Sequence, residues 1–351
     1  MMMIILILGG FILLFAGGEA LVRGSVGIAR KFGMSELVIG LTLVGFGTSL
    51  PELVTSLQAL SEGAVGLAVG NVIGSNIANI LLVLGVAALV APILTSPRAL
   101  ARDGIVMLAA TLLFAALLWL DMFTRTVGIL MVALLLVYLI LSVVLDRRRD
   151  SAAGGVHQGE AEEFGAKDPI WLSALLAIAG IAGVVIGARF LVDGGTDAAI
   201  TLGVSDTVIG ISVVAIGTSL PELATSVLAA RKGKADVALG NVIGSNIFNI
   251  LGIMGISAIA MPFSVSAISE KFSDLSANAA GAMQAPAQVL EAASLVTWTD
   301  MGALALSVFL LGLFAYTGRK LARWEGFILL ASYGVYLGIR FDLIPVISFG
   351  V

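Results

Sequence analysis

The chain has 351 residues, of which 59% are hydrophobic and 12% charged, with a net charge of −4 and a mean hydropathy of +1.09. So little charge, against about 25% in soluble domains, marks a polytopic membrane protein, and no nucleic-acid partner is expected. There is no cysteine, which excludes disulfides and thiolate metal centres, and the single histidine, His157, lies in a polar stretch, so any bound metal is held by oxygen.

Apolar runs long enough to cross a bilayer fall near 3–22, 36–60, 65–91, 104–120 and 126–145. The first lacks the basic start and small-residue cleavage site of a signal peptide and reads as a retained span. A polar stretch from Asp146 to Asp168, opening with Arg147, Arg148 and Arg149, reads as a solvated linker. Five more runs follow, near 169–192, 206–230, 235–262, 301–317 and 324–340. The expected organisation is a first five-span repeat (1–145), a cytoplasmic linker (146–168) and a second five-span repeat (169–351).

A constant shift of 170 residues relates the halves: between Gly33–Gly85 and Gly203–Gly255, 30 of 53 positions are identical without a gap. The identities include Gly, Pro, Thr, Ser, Asn and Glu at fixed places, which shared apolar composition cannot produce. Five spans per repeat is odd, so the second copy enters the membrane from the opposite side, as in inverted-repeat transporters. With both termini outside, the inner loops hold fifteen Lys and Arg residues and the outer side keeps Arg125, Lys271 and Arg340; this asymmetry is the one the positive-inside rule requires. The second repeat carries an extra extracytoplasmic segment near 263–299, where Ile268, Phe272, Leu275, Ala279 and Met283 keep a helical spacing compatible with a helix on the outer surface, or with an Ala/Ser-rich loop.

The hexapeptide GTSLPE occurs twice, at Gly47–Glu52 and Gly217–Glu222. A carboxylate at membrane depth costs about 3 kcal/mol or more and marks a functional position. Pro51 and Pro221 cannot donate to the carbonyls four residues earlier, so helices are predicted to break there, which membranes tolerate where the backbone is buried or lines a cavity. Thr48 and Thr218 supply hydroxyl oxygens beside the carboxylates of Glu52 and Glu222. The next span of each half carries GNVIGSNIANI or GNVIGSNIFNI, placing Asn71, Ser75 and Asn79, and Asn241, Ser245 and Asn249, on one helical face. Together these form an oxygen cage suited to a hard cation such as calcium, which takes 6 to 8 oxygen ligands. Asn71 and Asn241 can equally serve as pins for neighbouring backbone. Glu19 with Arg23, and Arg189 with Asp193, are spaced for ion pairs within a helix. Arg98, Arg102, Asp103, Asp121 and Arg125 are expected only to set depth and orientation.

These duplicated motifs closely resemble the α-repeats of the sodium/calcium exchanger branch of the cation/calcium exchanger superfamily. The resemblance implies an all-α fold of ten transmembrane helices in two inverted repeats, with spans 2 and 7 broken. It also implies a central site of Glu52, Asn79, Glu222 and Asn249, surrounded by Thr48, Ser49, Ser75, Thr218, Ser219 and Ser245, with backbone carbonyls near Gly45 and Ala215. Proton-coupled members of the superfamily typically carry an acidic residue in the GN motif, where this chain has GNVIGSN; that favours sodium. Several relatives, potassium-dependent ones included, have aspartate where this chain has Asn249, which disfavours potassium co-transport.

The expected activity is calcium/sodium antiport by alternating access in the plasma membrane of a prokaryote, with spans 1 and 6 moving against the core on the strength of the resemblance. Calcium and sodium are cargo, and no cofactor is expected. A calcium/proton antiporter would use the same two glutamates for protons, and a passive cation channel would use the same polar midplane. No nucleophile with a partnering base points to an enzyme.

Overall fold

The computed structural model of the chain describes residues 2–94, 97–152, 168–201, 215–264, 298–318 and 320–340. The postulated surface helix of the 263–299 segment and the start of the span expected at 206–230 lie largely outside those residues. Among them, six helices are long and apolar enough to cross a membrane, or seven if one bent pair counts as a single span.

Helix α1 (Met2–Phe32) is followed by a bent span built from α2 (Glu36–Ile39), a π-helical turn at Gly40–Val44, α3 (Gly45–Thr48) and α4 (Leu50–Ser61). The next span joins α5 (Val65–Ala78) through a π-helical stretch at Asn79–Val83 to α6 (Leu84–Val90). Then come α7 (Pro97–Leu120), α8 (Arg125–Ala152) and α9 (Ile170–Thr201). In the second half, α10 (Ala215–Thr218) and α11 (Leu220–Arg231) match α3 and α4. α12 (Ala235–Ile247), a π-helical stretch at Phe248–Ile253 and α13 (Met254–Ala260) match the span of α5 and α6. α14 (Trp298–Gly318) and α15 (Arg323–Arg340) complete the order.

Three spans run on past the ends of their apolar runs. α1 continues past residue 22 to Phe32, α8 passes Asp146, where the sequence places the start of the solvated linker, to end at Ala152, and α9 continues past residue 192 to Thr201. An apolar run marks only the part of a helix that hydrocarbon requires, and backbone hydrogen bonding carries each of these helices on through its charged last turns.

Burial separates core from periphery. The most apolar stretches of Val65–Val90 and Ala235–Ala260 are 78% and 89% buried, against 28% for those of α1 and α9. The two spans that carry GNVIGSN are therefore the centre of the bundle, and α1 and α9 lie on its flank.

α1 and α9 pair antiparallel along a glycine seam. Gly10, Gly17 and Gly24 repeat every seven residues on α1, and Gly180, Gly187 and Gly194 do so on α9; the 170-residue shift maps one set onto the other. A Cβ on Gly17 would lie 2.7 Å from the Val184 nitrogen, and one on Gly187 2.8 Å from the Leu14 nitrogen. Backbones this close have no room for a side chain between them, which is how small residues drive helix association in lipid.

Two short backbone pairings join the repeats. Ile93–Leu94 (β1) pairs antiparallel with Lys320–Leu321 (β2), and Phe123 bridges Phe263, their rings stacked 4.7 Å apart. The 24-residue α7 separates the two, roughly 36 Å of helix.

Several charges behave differently from expectation. Glu19 and Arg23 do not pair with each other: Glu19 bonds to Lys232 at the end of α11, and Arg23 bonds to Asp168 at 2.8 Å. Partners on neighbouring elements outcompete the local one. Arg189 and Asp193 do lie within 3.9 Å, both exposed. Asp103 is fully buried, held by Arg102 at 2.7 and 2.9 Å and by the Tyr138 hydroxyl at 3.3 Å, so it ties α7 to α8 rather than merely setting depth. Asp300 accepts from Tyr336 at 2.9 Å in the corresponding place of the second half.

Candidate functional site

The span Glu36–Ser61 bends by 42° between Thr48 and Leu50. Ser49, at φ −85° and ψ 6°, leaves the helical region, and Ser219 repeats this at φ −88° and ψ 4°. Pro51 and Pro221 then stand in the first turn of the helix that restarts, where a missing N–H leaves no intrahelical bond unmade. The proline and the bend together leave Glu52 and Glu222 in the first turn of α4 and α11, both fully buried.

The structure gathers most of the expected residues. Thr48, Ser49, Ser219, Asn79, Ser75, Ser245 and Asn249 are buried, and Thr218 is half-buried at the end of α10. Residues of one repeat reach those of the other: the Ser49 hydroxyl donates to Glu222 Oε1 at 3.2 Å, with the hydroxyls of Thr48 and Ser245 beside the same carboxylate. The Thr48 hydroxyl lies 3.1 Å from both the Val44 carbonyl and Asn241 Oδ1. The Gly45 carbonyl accepts from the Ser49 N–H at 3.2 Å and from the Ser245 hydroxyl at 3.3 Å. Ala215 opens α10, the turn that carries Thr218.

Around these contacts lies a set of oxygens with no hydrogen-bond partner among the described residues: both of Glu52, Glu222 Oε2, Asn79 Oδ1, Asn249 Oδ1 and Ser219 Oγ. Leaving buried polar atoms unpaired is unfavourable by about 1–3 kcal/mol each, and more for charged groups. The two carboxylates are also near enough to repel each other. An arrangement this unfavourable by itself is suited to a cation, and hard oxygens are the ligands that calcium and sodium accept.

Asn71 and Asn241 prove to be pins. The Asn71 amide donates to the Glu52 carbonyl at 3.2 Å and to Ser56 Oγ at 2.9 Å; the Asn241 amide donates to the Glu222 carbonyl at 3.4 Å and to Ser226 Oγ at 2.9 Å. Each fixes the backbone of a glutamate on the preceding span. Ser56 and Ser226 escaped the sequence reading, although the doubled Thr-Ser after each GTSLPEL was available to find them. The π-helical stretches at Asn79–Val83 and Phe248–Ile253 were missed as well; each contains a site asparagine, a placement common for such bulges at functional sites.

Gly40, Gly240 and Gly244 bring the bent span against α12. A Cβ on Gly40 would meet the Val237 carbonyl at 2.7 Å, and one on Gly244 would meet the Leu41 Cα at the same distance. The glycines therefore set how close the hydroxyls of α3 come to the second repeat.

The family model described as sodium/calcium exchanger protein matches residues 2–144 and 172–341. This chain belongs to that family. The sodium/calcium exchanger MaX1 of Methanosarcina acetivorans is 35% identical over 374 residues, covering 96% of this chain and 98% of the relative. The putative antiporter CaxA of Alkalimonas amylolytica is 38% identical over 258 residues, covering 74% of this chain and 81% of the relative. A solved structure of the sodium-calcium exchanger NCX_Mj superposes with a TM-score of 0.75 at 33% identity, covering 96% of this chain and 98% of that one.

Proposed function

We propose that this member of the sodium/calcium exchanger family is a secondary active antiporter that exchanges calcium for sodium across a prokaryotic plasma membrane by alternating access. The observation that carries the reading is the cluster of buried, unpartnered oxygens on Glu52, Glu222, Asn79, Asn249 and Ser219, contributed by both repeats. Membership of the family supplies the two ions.

The charges explain why exchange is coupled. Two buried carboxylates without a cation repel, and an uncompensated site is disfavoured in the low-dielectric barrier. Calcium, or several sodium ions, compensates the site and permits access to switch sides. Glu52 and Glu222 act as the principal ligands, with Asn79, Asn249, Ser75, Ser245, Thr48, Thr218, Ser49 and Ser219 completing the shell and the carbonyls of Gly45 and Ala215 as further candidates. Ten spans in two inverted repeats, with both termini outside, are the architecture that the duplication and the charge asymmetry support. The paired helices α1 and α9, on the flank of the buried core, are the elements suited to move.

Calcium uptake into sodium-loaded vesicles tests the reading. Uptake should require an outward sodium gradient, persist without potassium and fail in Glu52→Gln and Glu222→Gln. Uptake driven by a pH gradient in sodium-free medium would establish proton coupling instead, and flux without any counter-ion would indicate a channel.

A further inference from the structure

The Glu19–Lys232 ion pair has a counterpart that the structure leaves open. The 170-residue shift carries Glu19 to Arg189 and relates Lys232 to Glu62, so both members change sign and the pair stays complementary. Lys232 and Glu62 occupy the same local geometry: each ends its helix, at φ −85° and −92°, and each precedes a glycine with positive φ, Gly233 at 71° and Gly63 at 75°. Lysine suits the negative end of a helix and glutamate does not, so Glu62 is not there to stabilise α4.

Packing follows the same asymmetry. α1 lies against α11, with Gly18 under Leu228, whereas the corresponding helices α9 and α4 have no comparable contact. Arg189 turns instead to Asp193 on its own helix, and Glu62 accepts from Gln58 one turn back. On α1 the local pair is broken, because Glu19 is engaged by Lys232 and Arg23 by Asp168. One end of the molecule shows a latch closed and the other shows the same latch, with charges reversed, held open.

We propose that Glu62 and Arg189 form the latch of the opposite transport state. The inference rests on the alternating-access reading above. The glycine seam joins α1 and α9 into one body, so withdrawing α1 from α11 brings α9 onto α4. Glu19 then releases Lys232 and pairs with Arg23, while Arg189 leaves Asp193 for Glu62. The sign reversal prevents mistaken closure, since Arg189 repels Lys232 and Glu19 repels Glu62.

The chain has no cysteine, so paired cysteines report the two latches directly. Glu19→Cys with Lys232→Cys, and Glu62→Cys with Arg189→Cys, are treated in membrane vesicles with a short, reducible thiol cross-linker. Both pairs should cross-link, each cross-link should abolish sodium-driven calcium flux, and reduction should restore it. Glu62→Arg alone should slow flux at least threefold, and adding Arg189→Glu should recover it. If the unmodified chain exchanges ions and the 19/232 pair cross-links while the 62/189 pair does not, the latch is wrong and the antiport reading stands. If the unmodified chain shows no sodium-driven flux, both fall. Failure of Arg189→Glu to rescue Glu62→Arg also overturns the latch.

Discussion

The Thr48 hydroxyl stands 3.1 Å from Asn241 Oδ1, a contact between the GTSLPE motif of one repeat and the GNVIGSN motif of the other. The same asparagine donates to the Glu222 carbonyl and to Ser226. One amide thus registers a hydroxyl of the first repeat against the backbone of a carboxylate in the second.

That arrangement makes Asn241 more sensitive than its counterpart Asn71, whose side-chain hydrogen bonds among the described residues stay within its own repeat. Losing such buried hydrogen bonds amounts to about 1–3 kcal/mol, so Asn241→Ala should lower calcium flux by roughly one to two orders of magnitude and Asn71→Ala by less. A double-mutant cycle with Thr48→Val should show coupling with Asn241→Ala and none with Asn71→Ala.

The seam between α1 and α9 should reject any side chain at its centre. Gly17→Leu or Gly187→Leu forces the two backbones apart, beyond the usual 1–3 kcal/mol of overpacking, and should sharply reduce the yield of folded protein. Gly302→Ala and Gly312→Ala, where a Cβ meets nothing within 4 Å, should behave as the unmodified chain. Thermal unfolding in detergent, followed by size-exclusion chromatography, separates the cases.

Removing Asp103 should destabilise the fold without touching the candidate cation site. Asp103→Ala leaves Arg102 without its carboxylate and Tyr138 without its acceptor, a loss of about 3 kcal/mol by comparison with other broken buried pairs. Tyr138→Phe removes one hydrogen bond and should lose about 1 kcal/mol. In protein that survives, the calcium dependence of transport should be unchanged; a shifted dependence would tie this cluster to the site.

Asn249→Asp adds a third carboxylate to the unpartnered oxygens. Calcium should bind more tightly at neutral pH, and release should slow. Because a carboxylate loses its charge on protonation, the gain should fade as the pH falls. Isothermal titration with calcium at two pH values measures both effects.

Much of the candidate site was legible because polar residues in an apolar background are costly and were present twice. Glu52 and Glu222, Thr48, and the Asn-Ser-Asn face of the following span all stood out against their surroundings. The π-helical turns did not, since a shift from i→i+4 to i→i+5 bonding at Asn79 or Phe248 leaves no mark in composition. Asp103 was misjudged for a related reason. A charge near the end of an apolar run looks solvated until the neighbouring helix, with Tyr138, is known to cover it. Glu19 shows the limit of local spacing: its i+4 partner was visible, and the residue that holds it lies 213 positions away.

The strand pairing of Ile93–Leu94 with Lys320–Leu321 and the bridge of Phe123 to Phe263 have a consequence for how the molecule can deform. Each stitches one repeat to the other, and the length of α7 separates them. The two halves are sewn together beyond either end of α7, and both seams have to part before the halves can open as a clamshell. Neither stitch catches α1 or α9. That glycine-welded pair stands outside the frame the two stitches hold, as a separate runner laid along its side.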